Sequence, residues 1–211
     1  MIDIIPGILE KDFAEIEKKI ELVKGFAKTI HIDIIDGKFA PNTTFLDPKP
    51  FTKYTNDFLF EVHLMVDEPI NYLDSFAAAG FKRFLGQVEK MSSQEDFVAK
   101  GELLGEVGLA LDVNTPLESL KADYQDLDCV LIMSVKAGFS SQEFMPEILE
   151  KVKKIKEISS IPIEIDGGIN NETITQGSGC GASRFVTTSF LFNGDPSQNY
   201  QKLRSLLKIN G

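Results

Sequence analysis

Eight short apolar, β-rich runs recur from one end of this sequence to the other, separated by amphipathic segments. The runs cover residues 2–5, 29–35, 58–65, 83–88, 107–113, 129–135, 161–165 and 184–187. Between them, residues 13–24, 69–79, 94–104 and 146–158 carry apolar side chains at three- and four-residue spacing, the period of a helix with one buried face. Strands separated by helices call for a parallel sheet, because a parallel connection has to cross over. Eight such units in 211 residues predict an α/β fold, a single closed (β/α)8 barrel of the TIM type, at the small end of its size range. The rival is an open doubly wound sheet. That architecture would carry a Gly-rich fingerprint after its first strand, and Ile5-Pro6-Gly7-Ile8-Leu9 supplies none.

Helix boundaries support the alternation. Asp67-Glu68-Pro69 brings acids and a first-turn proline, Ala79-Gly80 closes the same helix, and Asp195-Pro196 opens the last one. No linker, solenoid-period repeat or low-complexity segment interrupts the pattern, so residues 1–211 read as one barrel domain.

Charge narrows the classes of partner. With 22 Lys and Arg against 32 Asp and Glu, the net charge is −10, which disfavours nucleic acid as a ligand because counterion displacement needs a basic face. An anionic small molecule stays open, since backbone amides and helix N-termini hold phosphate whatever the net charge. The opening residues lack a basic, then apolar, secretion signal, and no apolar run approaches the ~20 residues needed to span a bilayer. The expectation is a cytoplasmic protein with no membrane association. Cys129 and Cys180 do not have zinc-knuckle spacing and predict no disulfide framework.

The chain has only two histidines, and both lie in predicted strands. In Ile30-His31-Ile32-Asp33-Ile34, His31 and Asp33 share a strand face, since side chains alternate. His63 lies one strand further on, in Val62-His63-Leu64-Met65-Val66. Asp166 ends the run at 161–165 and precedes Gly167-Gly168. A parallel barrel gathers such strand ends at one mouth. Two imidazoles and two carboxylates there form a ligand set suited to zinc, manganese or iron. Taken singly, each has a plainer reading: a strand histidine as a hydrogen-bonded core residue, an aspartate before glycines as a turn former. The residues alone leave both readings open.

Three loops on the same rim suit an anion. Gly167-Gly168 precedes a helix start at Asn170-Asn171-Glu172, and Thr187-Thr188-Ser189 follows the last strand. Gly138-Phe139-Ser140-Ser141-Gln142 follows the sixth. Loops after strands 7 and 8 of barrels commonly present backbone N–H groups to phosphate, although each of these alone is also an ordinary turn.

These residues resemble a known family nearly end to end: the ribulose-phosphate 3-epimerases. The longest shared stretch is His31-Ile32-Asp33-Ile34-Ile35-Asp36-Gly37-Lys38-Phe39-Ala40-Pro41-Asn42. Pro6-Gly7-Ile8-Leu9 with Asp12-Phe13, Val62-His63-Leu64-Met65-Val66, Met133-Ser134-Val135 with Gly138-Phe139, and Glu164-Ile165-Asp166-Gly167-Gly168-Ile169 are similar to further family motifs. The resemblance implies a divalent metal (zinc, manganese, iron or cobalt) held by His31, Asp33, His63 and Asp166. It implies that Asp33 and Asp166 also serve as the acid/base pair that inverts C3 of a ketose phosphate through an enediolate. It further implies substrate or phosphate contacts at Gly7, Met65, Gly138, Ser140, Ser141, Gly167, Gly168, Thr188 and Ser189, with Met133 beside them, and a homo-oligomer.

The chain departs from the family pattern on the substrate wall. Gly7 stands where the family has a serine, Lys136-Ala137 replaces an Asn-Pro, and Ser140-Ser141 replaces glycines. Thr188-Ser189 stands for a Gly-Ser, Ile35 replaces a methionine, and the region 84–89 lacks a histidine. Lys136 reads either as a contact to phosphate or carboxylate or as a solvated loop lysine. The alternatives are therefore an epimerase of another sugar phosphate, such as a six-carbon ketose phosphate, and a sugar-phosphate-binding barrel without turnover.

Overall fold

A computed structural model describes residues 2–139 and 142–208. The apolar runs form eight strands: β1 (Asp3–Ile8), β2 (Thr29–Ile35), β3 (Leu59–Met65), β4 (Arg83–Gln87), β5 (Glu106–Leu111), β6 (Cys129–Met133), β7 (Ile163–Asp166) and β8 (Arg184–Thr187). All pair in parallel in sequence order, and β8 returns to β1 to close the barrel. Closure removes the open-sheet alternative.

Strand alternation divides the core in two. Outward-facing residues such as Ile4, Ile8, Ile32, Val62 and Val130 pack beneath the helices in one large cluster. Inward-facing residues, among them Ile35, Met65, Leu85, Leu131 and Met133, form a second cluster inside the barrel. The helices cover the outer cluster with the spacing their sequence sets: α1 (Phe13–Val23) buries Ile16, Ile20 and Val23. Asp12 caps that helix, its carboxylate accepting from the Ala14 amide at 2.7 Å. The other helices are α2 (Leu73–Ala78), α3 (Gln94–Glu102), α4 (Ile148–Ile158), α5 (Thr173–Gly179), α6 (Ser189–Phe192) and α7 (Pro196–Lys208). No helix among the described residues is long and apolar enough to cross a membrane.

The structure differs from the sequence-based expectation in three places. β1 runs on through Pro6 and Gly7 rather than ending at Ile5, because proline's fixed φ is compatible with extended backbone and both flanking strands supply partners. The predicted helix at 69–79 breaks into a 3-10 turn (Pro69–Asn71) and α2. Glu68, in the left-handed region at φ 55°, offers that turn no side-chain cap. The crossovers from β2 to β3 and from β5 to β6 carry only 3-10 turns, at Lys49–Tyr54, Leu117–Ser119 and Tyr124–Asp126. Pro41, Pro48 and Pro50 in the first, and Pro116 in the second, deny an α-helix its amide donors.

Candidate active site

Strand register assembles the centre of the mouth. β2 and β3 pair with His31 opposite Glu61 and Asp33 opposite His63, and β6 sets Met133 opposite Asp166 on β7. His31, Asp33, His63 and Asp166 are all buried, and one ligand atom from each lies within 4.8 Å of the others. His31 Nε2 is 3.3 Å from Asp33 Oδ1 and 4.0 Å from Asp166 Oδ2. His63 Nδ1 is 3.0 Å from Asp33 Oδ1 and 3.8 Å from Asp166 Oδ2.

The donor set fits a divalent cation. A tetrahedron with metal–ligand arms of about 2.1 Å has edges of about 3.4 Å, and the four separations bracket that length. His31 Nε2, fully enclosed, has no hydrogen-bond partner among the described residues, although a buried ring nitrogen ordinarily finds one. Charge points the same way. Asp33, Glu61, Glu164 and Asp166 crowd the same interior, where Arg83 pairs with Glu61 and acts through its charge on Glu164.

Two carboxyls at this centre are driven apart in acidity. Burial alone would raise Asp33, but the nearby charge of His31 and the bond with His63 outweigh it and hold the carboxyl well below the usual range. Asp166 is pushed well above that range, first by burial and then by repulsion from Asp33. His63 is lowered, chiefly by burial, which favours the neutral ring. An ionised and a protonated carboxyl side by side are equipped to accept and to donate a proton.

Beneath the mouth runs a column of charge that sequence reasoning assigned no role. His31 Nδ1 meets Glu61 Oε1 at 2.7 Å and lies 3.4 Å from Glu164 Oε1. The Arg83 guanidinium donates to Glu61 through Nη1, and through Nε to Glu106 Oε2 at 2.6 Å. Glu164 is raised to about 7, first by burial and then by repulsion from Glu61. One signal could have found these residues: Glu61 with His63, and Glu164 with Asp166, are two apart on one strand and so share its inner face.

Above the centre opens a narrow cavity of about 30 Å³. Asp33 and Asp166 floor it, and Met65, Met133, Gly138, Gly167, Gly168, Thr188 and Ser189 line it, as do Leu9, Phe139 and Gln142, which the sequence reading had not singled out as contacts. His31 and His63 lie below the cavity wall, and Gly7 is not part of it. Lys136 is exposed and outside the lining, while Ala137 is buried in the inner cluster. Ser140 and Ser141 lie outside the described residues.

The strand ends are pinned from behind. Thr44 Oγ1 donates to the Asp33 carbonyl at 2.8 Å and accepts from the Ile35 amide at 2.9 Å. Ser134 donates through its amide to the Asp166 carbonyl at 2.8 Å and through Oγ to the same oxygen at 2.9 Å and to Gly167. Asp36, beside the ligand strand, accepts from the amides of Lys38, Phe39 and Asp67, so it shapes the loop. Asn42 donates to the Gly138 carbonyl at 2.8 Å and ties the β2 loop to the β6 loop over the mouth. Gly168 sits at φ +60°, and a Cβ there would lie 2.8 Å from the Phe144 amide nitrogen.

With this geometry in place, comparison with known proteins is decisive for kinship. The sequence profile of the ribulose-phosphate 3 epimerase family matches residues 3–192. The chain belongs to this family. The ribulose-phosphate 3-epimerase of Schizosaccharomyces pombe is 33% identical over 211 residues, covering 96% of this chain and 92% of its own length. That of Bacillus subtilis is 34% identical, covering 91% and 93%. Among solved structures, 3-keto-L-gulonate-6-phosphate decarboxylase of Vibrio cholerae superposes with a TM-score of 0.76 over 99% of each chain, at 13% identity, a likeness of fold. The family motifs thus fall where the fold converges: the longest supplies His31 and Asp33, and the shorter ones supply His63 and Asp166.

Proposed function

We propose that this chain is a ribulose-phosphate 3-epimerase, an isomerase that inverts C3 of a ketose phosphate and interconverts ribulose 5-phosphate and xylulose 5-phosphate. The observation that carries the reading is the convergence of His31, Asp33, His63 and Asp166, with the two aspartates at the floor of a cavity rimmed by glycine loops. Family membership sets the reaction class, and the site has the parts that class requires. On this reading residues 1–211 act as one catalytic barrel, with zinc, manganese, iron or cobalt as the metal.

Removing a proton next to a carbonyl is feasible only if the charge that develops on oxygen is stabilised. A divalent cation held by the two histidines and two aspartates supplies positive charge for that purpose. The remaining work falls to the side chains. Inverting one stereocentre takes a proton from one face of C3 and returns one to the other, so it takes two groups of opposite protonation. Asp33 and Asp166, which both face the cavity, are the pair for this: one accepts the proton from C3 and the other returns one to the opposite face, and their roles exchange in reverse. Met65 and Met133 present apolar thioethers that exclude water above the pair. Gly167-Gly168 and Thr188-Ser189 line the same cavity, which supports reading their backbone amides as the phosphate site.

The test is direct. Protein supplied with a divalent metal interconverts ribulose 5-phosphate and xylulose 5-phosphate, and in deuterated water it places deuterium at C3. Asp166→Asn lowers turnover by about three orders of magnitude or more, the scale expected when an acid/base group is lost. Full activity in that variant, or after exhaustive chelation, overturns the mechanism.

A further inference from the structure

The connection from β6 to α4 carries Val135, Gly138, Phe139 and Gln142 to the cavity wall. Its two ends are drawn together where the Met145 amide donates to the Ser134 carbonyl at 2.8 Å. Gln142 Nε2 donates to the carbonyls of Lys136 and Phe139, at 2.7 and 2.9 Å, and ties the middle into one unit. That unit is seated on the neighbouring β5 loop. Asp112, the first residue past β5, accepts through one oxygen from the Val113 amide at 2.7 Å and from the Ala137 amide at 3.4 Å. Ala137 is buried in the inner cluster with Met65, Met133 and Val135, so its depth sets that of the apolar wall.

Lys151, near the start of α4, grips the same β5 loop from the other side. Its half-buried ammonium donates to the carbonyls of Asp112, Val113 and Thr115 at 3.1, 2.7 and 2.6 Å. An ammonium carries three N–H donors, and here each has a backbone oxygen. The Asp112 carbonyl also accepts from the Thr115 amide at 3.1 Å, but those of Val113 and Thr115 have no other partner among the described residues. Without the ammonium these oxygens turn to water, and the loop that carries the Asp112 carboxylate turns with them.

We propose that Lys151 is a positioning residue for the reaction: its ammonium holds the β5 loop in the shape that lets Asp112 seat Ala137, and with it the wall that encloses the sugar phosphate. This rests on the epimerase reading of the cavity and adds to it a group that touches neither substrate nor metal. Lys151 acts on binding more than on proton transfer, since the Ser134 hydroxyl holds Asp166 without help from the β5 loop.

Four variants test it in the metal-supplied protein: Lys151→Met, Lys151→Arg, Asp112→Ala and the double variant Lys151→Met/Asp112→Ala. Calorimetry measures the dissociation constant of ribulose 5-phosphate, and steady-state assays give KM and kcat. Hydrogen exchange of the Ala137 amide, followed by NMR without ligand, reads the seat of the wall directly. Lys151→Met is expected to raise the dissociation constant and KM about tenfold with kcat changed by less than about threefold, and to speed exchange at Ala137. Lys151→Arg, which keeps the charge and its donors, recovers most of the affinity. Because both residues act along one path, the double variant binds no more weakly than Asp112→Ala alone. All four keep the rise in melting temperature on adding metal, since none replaces a ligand. Unchanged affinity in Lys151→Met, a loss confined to kcat, or equal impairment in Lys151→Arg overturns the positioning role. So does a Lys151→Met protein that no longer responds to metal, which would mark a general structural defect. Additive losses in the double variant, or unchanged exchange at Ala137, overturn the path through Asp112. Wild type that exchanges no proton at C3 overturns the epimerase reading alone, and exchange at Ala137 then still decides whether Lys151 seats the wall.

Discussion

At the scale of single residues, the ligands and the groups behind them were unequally visible. His31, Asp33, His63 and Asp166 could be picked out because two histidines in a whole chain are few and both precede strand ends. Glu61 and Glu164 share strand faces with His63 and Asp166 but were not singled out, nor was Arg83, since a charged residue in an apolar run reads as exposed until the barrel closes around it. Burial makes them consequential. Glu61 bonds His31 Nδ1 and is itself held by Arg83, so it fixes which ring nitrogen of His31 faces the centre. Glu61→Gln keeps the shape and removes the charge. It is expected to weaken zinc binding about 10- to 100-fold. It should also destabilise the fold by on the order of 3 kcal/mol, because Arg83 loses its buried partner; metal titration and urea unfolding read the two effects. Glu164 gives a pH signature. Its carboxyl is raised from 4.5 to about 7 in the folded protein, so the fold favours its neutral form. That contribution is complete below about pH 4.5 and is lost as pH rises toward 7. In metal-stripped protein, the stability of wild type should therefore fall relative to Glu164→Gln across that window. Parallel curves for the two proteins would contradict it.

At the scale of elements, the sequence disclosed strands better than connections. A short apolar run of strand length depends on local sequence alone, and all eight runs became strands with ends shifted by a few residues. Where a crossover folds without an α-helix, prolines gave warning, but the loops' contacts are long-range and leave no period to read. The pins behind the catalytic strand ends are of that kind. Thr44 reaches Asp33 from 11 residues away and Ser134 reaches Asp166 from 32, and neither separation is a recognisable spacing. Ser134 joins the ends of β6 and β7 and so sets the height of Asp166 in the mouth. Ser134→Ala removes its hydroxyl bonds and leaves the amide bond in place, with an expected cost of about 1 kcal/mol. The larger effect should be on turnover, about tenfold in kcat, because a small displacement of a proton-transfer group is amplified in rate. A variant that loses stability but keeps full kcat would show that β7 holds Asp166 without this bridge.

At the scale of the molecule, the four proposed ligands tie together strands that lie far apart in the chain. His31 and Asp33 come from β2, His63 from β3 and Asp166 from β7, with Asp33 and Asp166 133 positions apart. A cation at their centre would join the two sides of the barrel, and it would neutralise carboxylates that otherwise repel each other in the interior. Because the site exists only when the strands are assembled, binding free energy becomes folding free energy. At a metal concentration one hundred times the dissociation constant, the added stability is about 2.7 kcal/mol. Divalent metal should therefore raise the melting temperature of the whole barrel in one cooperative transition, with chelator reversing the shift. His63→Ala should lose most of the metal-induced rise in melting temperature, because one of the four proposed ligands is gone. This readout needs no substrate. It distinguishes a protein whose cation is built into its stability from one that meets the metal only together with a sugar phosphate, for which added metal alone would leave the melting curve unmoved.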